Sequence, residues 1–216
     1  MLQLGDHPWL LILLSSLEIL LVIVPVTISS QITKKSIKQE LHQIGLKFEL
    51  SDSTDKIIKF VIGVDIGIGL LMLSNLILFF FQDILLAFFF TADFIREGFE
   101  NAIGTQIINP NLNQFIIFVI IQFLIIGPCE ESFFRGFIIT KLRNKINLGY
   151  IVLFSSLIFA LYHVPPFLVP ISTIISFFGY YFTIGIILAL IFIFSDFSLI
   201  PVSIAHSVFN FLVLIL

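Results

Sequence analysis

Apolar and polar positions come in blocks along this chain and are not interleaved. Apolar runs cover Trp9 to Ser29, Ile57 to Phe81, Leu112 to Glu131, Leu148 to Val164, Val169 to Phe194 and Leu199 to Leu216, with short polar stretches between them. Each is near the roughly 20 residues a helix needs to cross the hydrocarbon of a bilayer. The pattern predicts an all-α, polytopic transmembrane helical bundle of six membrane-embedded helices. Apolar character resumes from Ile84 to Phe90, so a short or re-entrant segment after Gln82 would raise the count to seven or eight. No internal repeat and no low-complexity linker divides the chain, and residues 1–216 read as one membrane domain.

Composition fixes the class. Of 216 residues, 58% are hydrophobic and 12% charged, and the mean hydropathy is +1.13. A soluble domain carries about 25% charged residues. The net charge of -3 gives no basic excess for nucleic acid. Cys129, the only cysteine, excludes an internal disulfide and a cysteine-based zinc site, and reads as a packing residue. The first ten residues contain no Lys or Arg, so the leading apolar run reads as a retained span and not as a signal peptide.

The basic residues are uneven. Lys34, Lys35, Lys38, Lys47, Lys56 and Lys59 lie in or beside the first loop, and Lys141, Arg143 and Lys145 follow the third span. The loop between spans two and three has Arg96 against Asp83, Asp93, Glu97 and Glu100. The positive-inside rule then places loops one and three in the cytoplasm and both termini outside.

Ionisable groups at membrane depth are costly, so they face a bundle interior and mark function. The stretch PCEESFFRGF puts Glu130 and Glu131 at the end of an apolar run, with Arg135 four residues after Glu131 on the same helical face. Pro128 is expected to kink the helix or to begin a new one, which would put Glu130 in a first turn, where the helix dipole favours a carboxylate. His163 precedes Val164 and two prolines, which places it at a helix C-terminus. Ser203, His206, Ser207 and Asn210 form a polar stripe on the last span. Glu130 and His163 each lie about 22 Å from the loop between spans three and four at 1.5 Å per residue, and His206 and Asn210 about 10–17 Å in from Leu199. Glu18 and Asp65, in the first two spans, match no motif and read as bundle-interior or boundary residues, with a place in the site's lining as the lesser reading. Gly179 and Gly185 would allow close helix approach.

Three motifs occur in order: EESFFR (Glu130, Glu131, Arg135), FALYH (Phe159, His163) and HSVFN (His206, Asn210). In them the chain resembles the CAAX protease and bacteriocin-processing (CPBP, or Abi) family of intramembrane proteases, which includes the type II CAAX prenyl endopeptidases. The resemblance covers residues 115–216 and implies a catalytic core there. It implies that Glu130 is the general base that activates water, that His163 holds and polarises that water, and that His206 and Asn210 stabilise the oxyanion. Glu131 and Arg135 would be a supporting pair, and Phe159 a packing wall. The implied partners are membrane lipid and a peptide or protein substrate, prenylated or not at a C-terminal CAAX, in a cavity reached from the cytoplasm and laterally from lipid. No cofactor is expected. Zinc is the alternative, since two His and a Glu could bind it, although HExxH is absent. Competing readings are a non-hydrolytic protein of the same fold, such as a bacteriocin self-immunity factor or a scaffold, and a transporter.

Overall fold

The computed structural model describes residues 2–46, 53–104 and 110–215. Lys47 and Leu216, which the sequence places in the first loop and at the end of the last span, lie outside the described residues. Eight helices are described: α1 (Pro8–Thr33), α2 (Ile37–Gln43), α3 (Thr54–Phe89), α4 (Ala92–Glu100), α5 (Leu112–Leu142), α6 (Leu148–His163), α7 (Ile171–Phe194) and α8 (Leu199–Ile215). Four of them, α1, α3, α5 and α7, are long and apolar enough to cross a membrane, and α6 and α8 are shorter apolar helices. The only pairing of strands among the described residues is a two-residue parallel one, β1 (Leu2–Gln3) with β2 (Ile103–Gly104). The protein is a polytopic helical bundle.

Two expectations change. The apolar stretch after Gln82 is not a separate segment, because α3 runs on through a π-helical turn at Phe80–Leu86 to Phe89. Nor does Pro128 start a helix. α5 is continuous through it, preceded by a π-helical turn at Gln122–Ile126. The wider turn makes room for the proline ring and moves the backbone bond its missing N–H would have made. Glu130 therefore sits within a helix, and the argument from an open N-terminus does not apply.

Local chemistry sets several ends. Ser36 caps α2 and Asn111 caps α5, each in a reciprocal box with the glutamine three residues on. Glycines let α3 and α8 approach closely. A Cβ on Gly63 would lie 2.7 Å from Ile204 Cβ and 2.8 Å from the Pro201 carbonyl. A Cβ on Gly67 would meet Val208 and the Ala205 carbonyl at similar distances. In lipid, where no hydrophobic drive brings helices together, such small-residue seams let backbones approach.

The chain assigns its loops to two ends. At one end, Glu40 of α2 is paired with Lys141 at the end of α5 and bound by the hydroxyls of Ser29 and Thr33. There Gly45 packs on Phe197 and Leu199, and Arg143 stacks over the Phe197 ring. Loops one, three and five thus share this end, which carries the basic residues. At the other end lie the β1–β2 pairing and the hydroxyl of Thr173, which donates to the Gly98 carbonyl. The main core fills the basic-loop end, with Ile139, Ile151, Leu188, Phe192 and Val202 essentially inaccessible.

Candidate active site

The site is built where α5, α6 and α8 meet. Glu130 and Glu131 follow the π-helical turn of α5. That turn is tied to α8 by the Ser207 hydroxyl, which donates to the Gln122 carbonyl (3.1 Å). Glu131, Arg135 and His206 are wholly or almost wholly buried, and Glu130 is 3% exposed.

Each histidine has a determined face. His163 Nδ1 is 2.9 Å from the Phe159 carbonyl oxygen, which can only accept, so Nδ1 carries the hydrogen. His206 Nδ1 is 2.7 Å from Glu131 Oε1, which also accepts from Arg135 Nη1 at 2.9 Å. Both rings therefore point Nε2 at Glu130, 3.8 Å from Oε2 for His163 and 3.9 Å for His206. In neutral rings these Nε2 atoms are acceptors. His206 can donate to an oxyanion only when it carries both protons, a condition the motif does not reveal.

Glu131 is more than the partner of Arg135. It joins Arg135 on its own helix to His206, 75 residues away. Arg135 is held in turn by the Gly185 carbonyl (3.1 Å from Nη2) and by the Phe159 ring, 4.4 Å from its guanidinium carbon. Gly185 lets the helices approach closely, since a Cβ there would lie only 3.0–3.2 Å from Ser156 and Phe159. Phe159 is thus a packing wall, as expected, and also the seat of the arginine.

Glu130, Phe159, His163 and His206 line a cavity of about 380 Å³ that also takes in Asn210, Gln122, Tyr162, Tyr181 and Glu18. All four residues of the implied catalytic set, Glu130, His163, His206 and Asn210, reach it. Glu18 is a correction to the sequence reading. It lies on a tightened 3-10 turn of α1 (Leu17–Ile19) packed against the Glu130 segment, and its side chain lines the same cavity as Glu130. Asp65 is exposed on α3 and does not line the cavity. No spacing signals Glu18, because its place depends on packing across more than a hundred residues.

The cavity runs from Glu130 towards Ile103 and Pro165, at the end away from the basic loops. A second, apolar hollow of about 490 Å³ lies alongside, between α1 and Phe133, and shares Glu18 and Tyr162 with the first.

Oε2 of Glu130 and one nitrogen from each histidine lie within 4.8 Å of one another. A water bridging two acceptors at about 2.8 Å spaces them by about 4.4 Å. Tetrahedral zinc ligands at about 2.0–2.1 Å are about 3.4 Å apart. The observed 3.8 and 3.9 Å fall between the two. The donor set fits a metal as well, since both rings donate Nδ1–H to a carboxylate or a backbone carbonyl, the usual support of a ligating histidine.

A helical bundle with a buried glutamate facing two imidazoles at membrane depth defines a class, the polytopic membrane proteins with a carboxylate–histidine centre. Residues 112–212, a little under half of the chain, match the family model described as Rce1-like, type II CAAX prenyl endopeptidase. The matched stretch spans all three motifs on which the resemblance rests, from Glu130 to Asn210. No curated protein and no solved structure matches the chain.

Proposed function

We propose that the protein is a multi-pass membrane endopeptidase of the CAAX prenyl protease type, with its basic loops in the cytoplasm, and that it hydrolyses a peptide bond with a water activated by Glu130. The observation that carries this reading is the convergence of Glu130 Oε2 and the two imidazole Nε2 atoms on one point of a membrane-embedded cavity. A water there gives a proton to the Glu130 carboxylate as its oxygen attacks the scissile carbonyl carbon. The oxygen of that carbonyl becomes an oxyanion, for which the Asn210 amide is a donor. Collapse breaks the C–N bond, and Glu130 returns its proton to the leaving amine. His163 accepts from the water and fixes its orientation. Glu131 holds His206, and Arg135 balances the charge of Glu131. The apolar hollow beside Glu18 and Tyr162 suits the lipid-embedded part of a substrate.

The engaged Nδ1 atoms favour a second reading, in which Glu130, His163 and His206 hold a zinc ion. Bound there, it would polarise the carbonyl and lower the pKa of its water. The residues' own tasks of binding, orienting and moving a proton remain.

The test is incubation of purified protein with prenylated and unprenylated CAAX peptides, read by mass spectrometry. Cleavage by the wild type and none by Glu130→Gln is expected. Undiminished cleavage by Glu130→Gln overturns the assignment, and no cleavage of either peptide by the wild type favours a non-hydrolytic role. Activity that survives prolonged phenanthroline supports the metal-free route, and loss restored by zinc supports the second.

A further inference from the structure

We infer that Gln122 binds the backbone of the substrate: its side-chain N–H donates to a peptide carbonyl about three or four residues from the scissile bond. That the partner is a peptide rests on the reading above; the donor itself does not.

Three observations set the donor. First, Gln122 is 3% exposed, and among the described residues no group accepts from its side-chain Nε2. A buried amide N–H without an acceptor is costly, and native structures keep one only for a reason. Second, the residue lines the cavity of Glu130. Phe118, Gln122, Ile126 and Glu130 follow one another at four-residue steps, and all four line it. In a regular helix each step would turn the row by about 40°. The wider π-helical turn at Gln122–Ile126 takes up part of that drift and keeps the row on one face. Third, the main chain of Gln122 is fixed. Its carbonyl accepts from the Ser207 hydroxyl (3.1 Å), and a Cβ on Gly127 would collide with that same hydroxyl. α5 and α8 are locked together where the amide stands, so the donor is pre-organised.

The lining states what the acceptor is. No described Lys or Arg lines the cavity, and Glu18 and Glu130 already do. A carboxylate brought there would lack a cation, whereas a peptide carbonyl is neutral and only accepts. Glu130 and Gln122 are eight residues apart, about 12 Å along α5 at 1.5 Å per residue. An extended peptide covers that distance in about three or four residues at 3.3–3.6 Å each. Asn210 thus serves the carbonyl under attack, and Gln122 one further along the same strand. The second interaction is complete in the bound substrate and so contributes to binding, not to the chemical step.

The test compares Gln122→Met with the wild type, each as the purified full chain. Methionine keeps the volume and lacks the donor. In cleavage of the CAAX peptides, KM should rise about three- to tenfold and kcat should stay within about twofold of the wild type. Tm should be unchanged or higher, because an unpaired buried polar group has been removed. Binding is read separately in the Glu130→Gln background, by fluorescence anisotropy of labelled prenylated and unprenylated CAAX peptides in which one backbone carbonyl at a time is replaced by an alkene isostere. One replacement, about three or four residues from the scissile bond, should weaken binding to Glu130→Gln and have no effect on Glu130→Gln/Gln122→Met. An unchanged KM or a lowered Tm overturns the inference, as does a replacement series that weakens both proteins equally, or no binding of either peptide. Absence of cleavage by the wild type with the binding pattern intact overturns the peptidase reading instead and leaves Gln122 a peptide-binding residue.

Discussion

Replacing Arg135 by methionine removes a guanidinium with no accessible surface, 2.9 Å from Glu131 Oε1 and seated 4.4 Å over Phe159. Methionine keeps most of the volume, so the cost lies in the carboxylate left behind. Breaking a buried ion pair from one side costs about 3–5 kcal/mol in soluble proteins. In detergent the unfolded state retains helices whose polar groups find other partners, which lowers the cost to about 2–4 kcal/mol. For a chain of this size each kcal/mol moves Tm by about 2–4 °C, so a fall of about 4–16 °C is expected. Cys129 supplies the assay. As the only cysteine, and buried, it reacts with a fluorogenic maleimide when the bundle opens. The double variant Glu131→Gln/Arg135→Met removes both charges and should recover at least half of the loss. If the single variant melts within about 2 °C of the wild type, or the double variant is no more stable than the single, Glu131 is not a buried charge that depends on Arg135.

Asn210→Ala should lower kcat by about 10²–10³ with KM little changed, the signature of a lost oxyanion donor; a normal kcat in a less stable protein would reduce Asn210 to helix packing. Glu18→Gln, which keeps a polar side chain in the cavity beside Glu130, should keep most of the peptide-cleaving activity, whereas Glu18→Leu should lose about tenfold or more in kcat, and equal rates in the two variants would remove Glu18 from the site. At the basic end, burial pushes the Glu40 carboxyl up, but hydrogen bonds from Lys141, Thr33 and Ser29 outweigh it and hold it below its usual 4.5. Its stabilising contribution is therefore complete above pH 4.5 and lost as the pH falls through the lower folded value, so the Tm difference between wild type and Glu40→Gln should shrink in acid; a difference that does not change with pH would contradict this.

Much of the site was legible because the bilayer makes polar residues conspicuous. Glu130, His163, His206 and Asn210 stood out as costly groups on apolar spans, and the structure brings all four to one cavity. The spacing of Glu131 and Arg135 announced their pairing, and Gly185 its close approach. What escaped notice depends on contacts between distant spans. The bond from His206 to Glu131 and the arrival of Glu18 in the cavity of Glu130 have no local signature. Gly63 and Gly67 did carry one, the four-residue spacing of small residues in GVDIG, and it marks the α3–α8 seam. Pro128 misled because a proline read locally signals a helix start, while a π-helical turn accommodates it inside a continuous helix.

That turn at Gln122–Ile126, together with a second one at Ser132–Ile139, brackets the two glutamates. A π-helical turn is in effect a helix carrying one surplus residue. The length of α5 between the two turns is therefore not free to drift. Deleting one residue from either turn would relax the backbone to a regular helix and leave its flanks nearly in register, whereas deleting one from the regular winding at 127–129 would rotate the preceding part of α5 by about 100° relative to the glutamates and swing Gln122 and Phe118 out of the cavity. Insertions and deletions should therefore be tolerated in the loops of this bundle and excluded from the regular winding between the two turns of α5, which acts as a gauge that sets the bearing of its acidic pair.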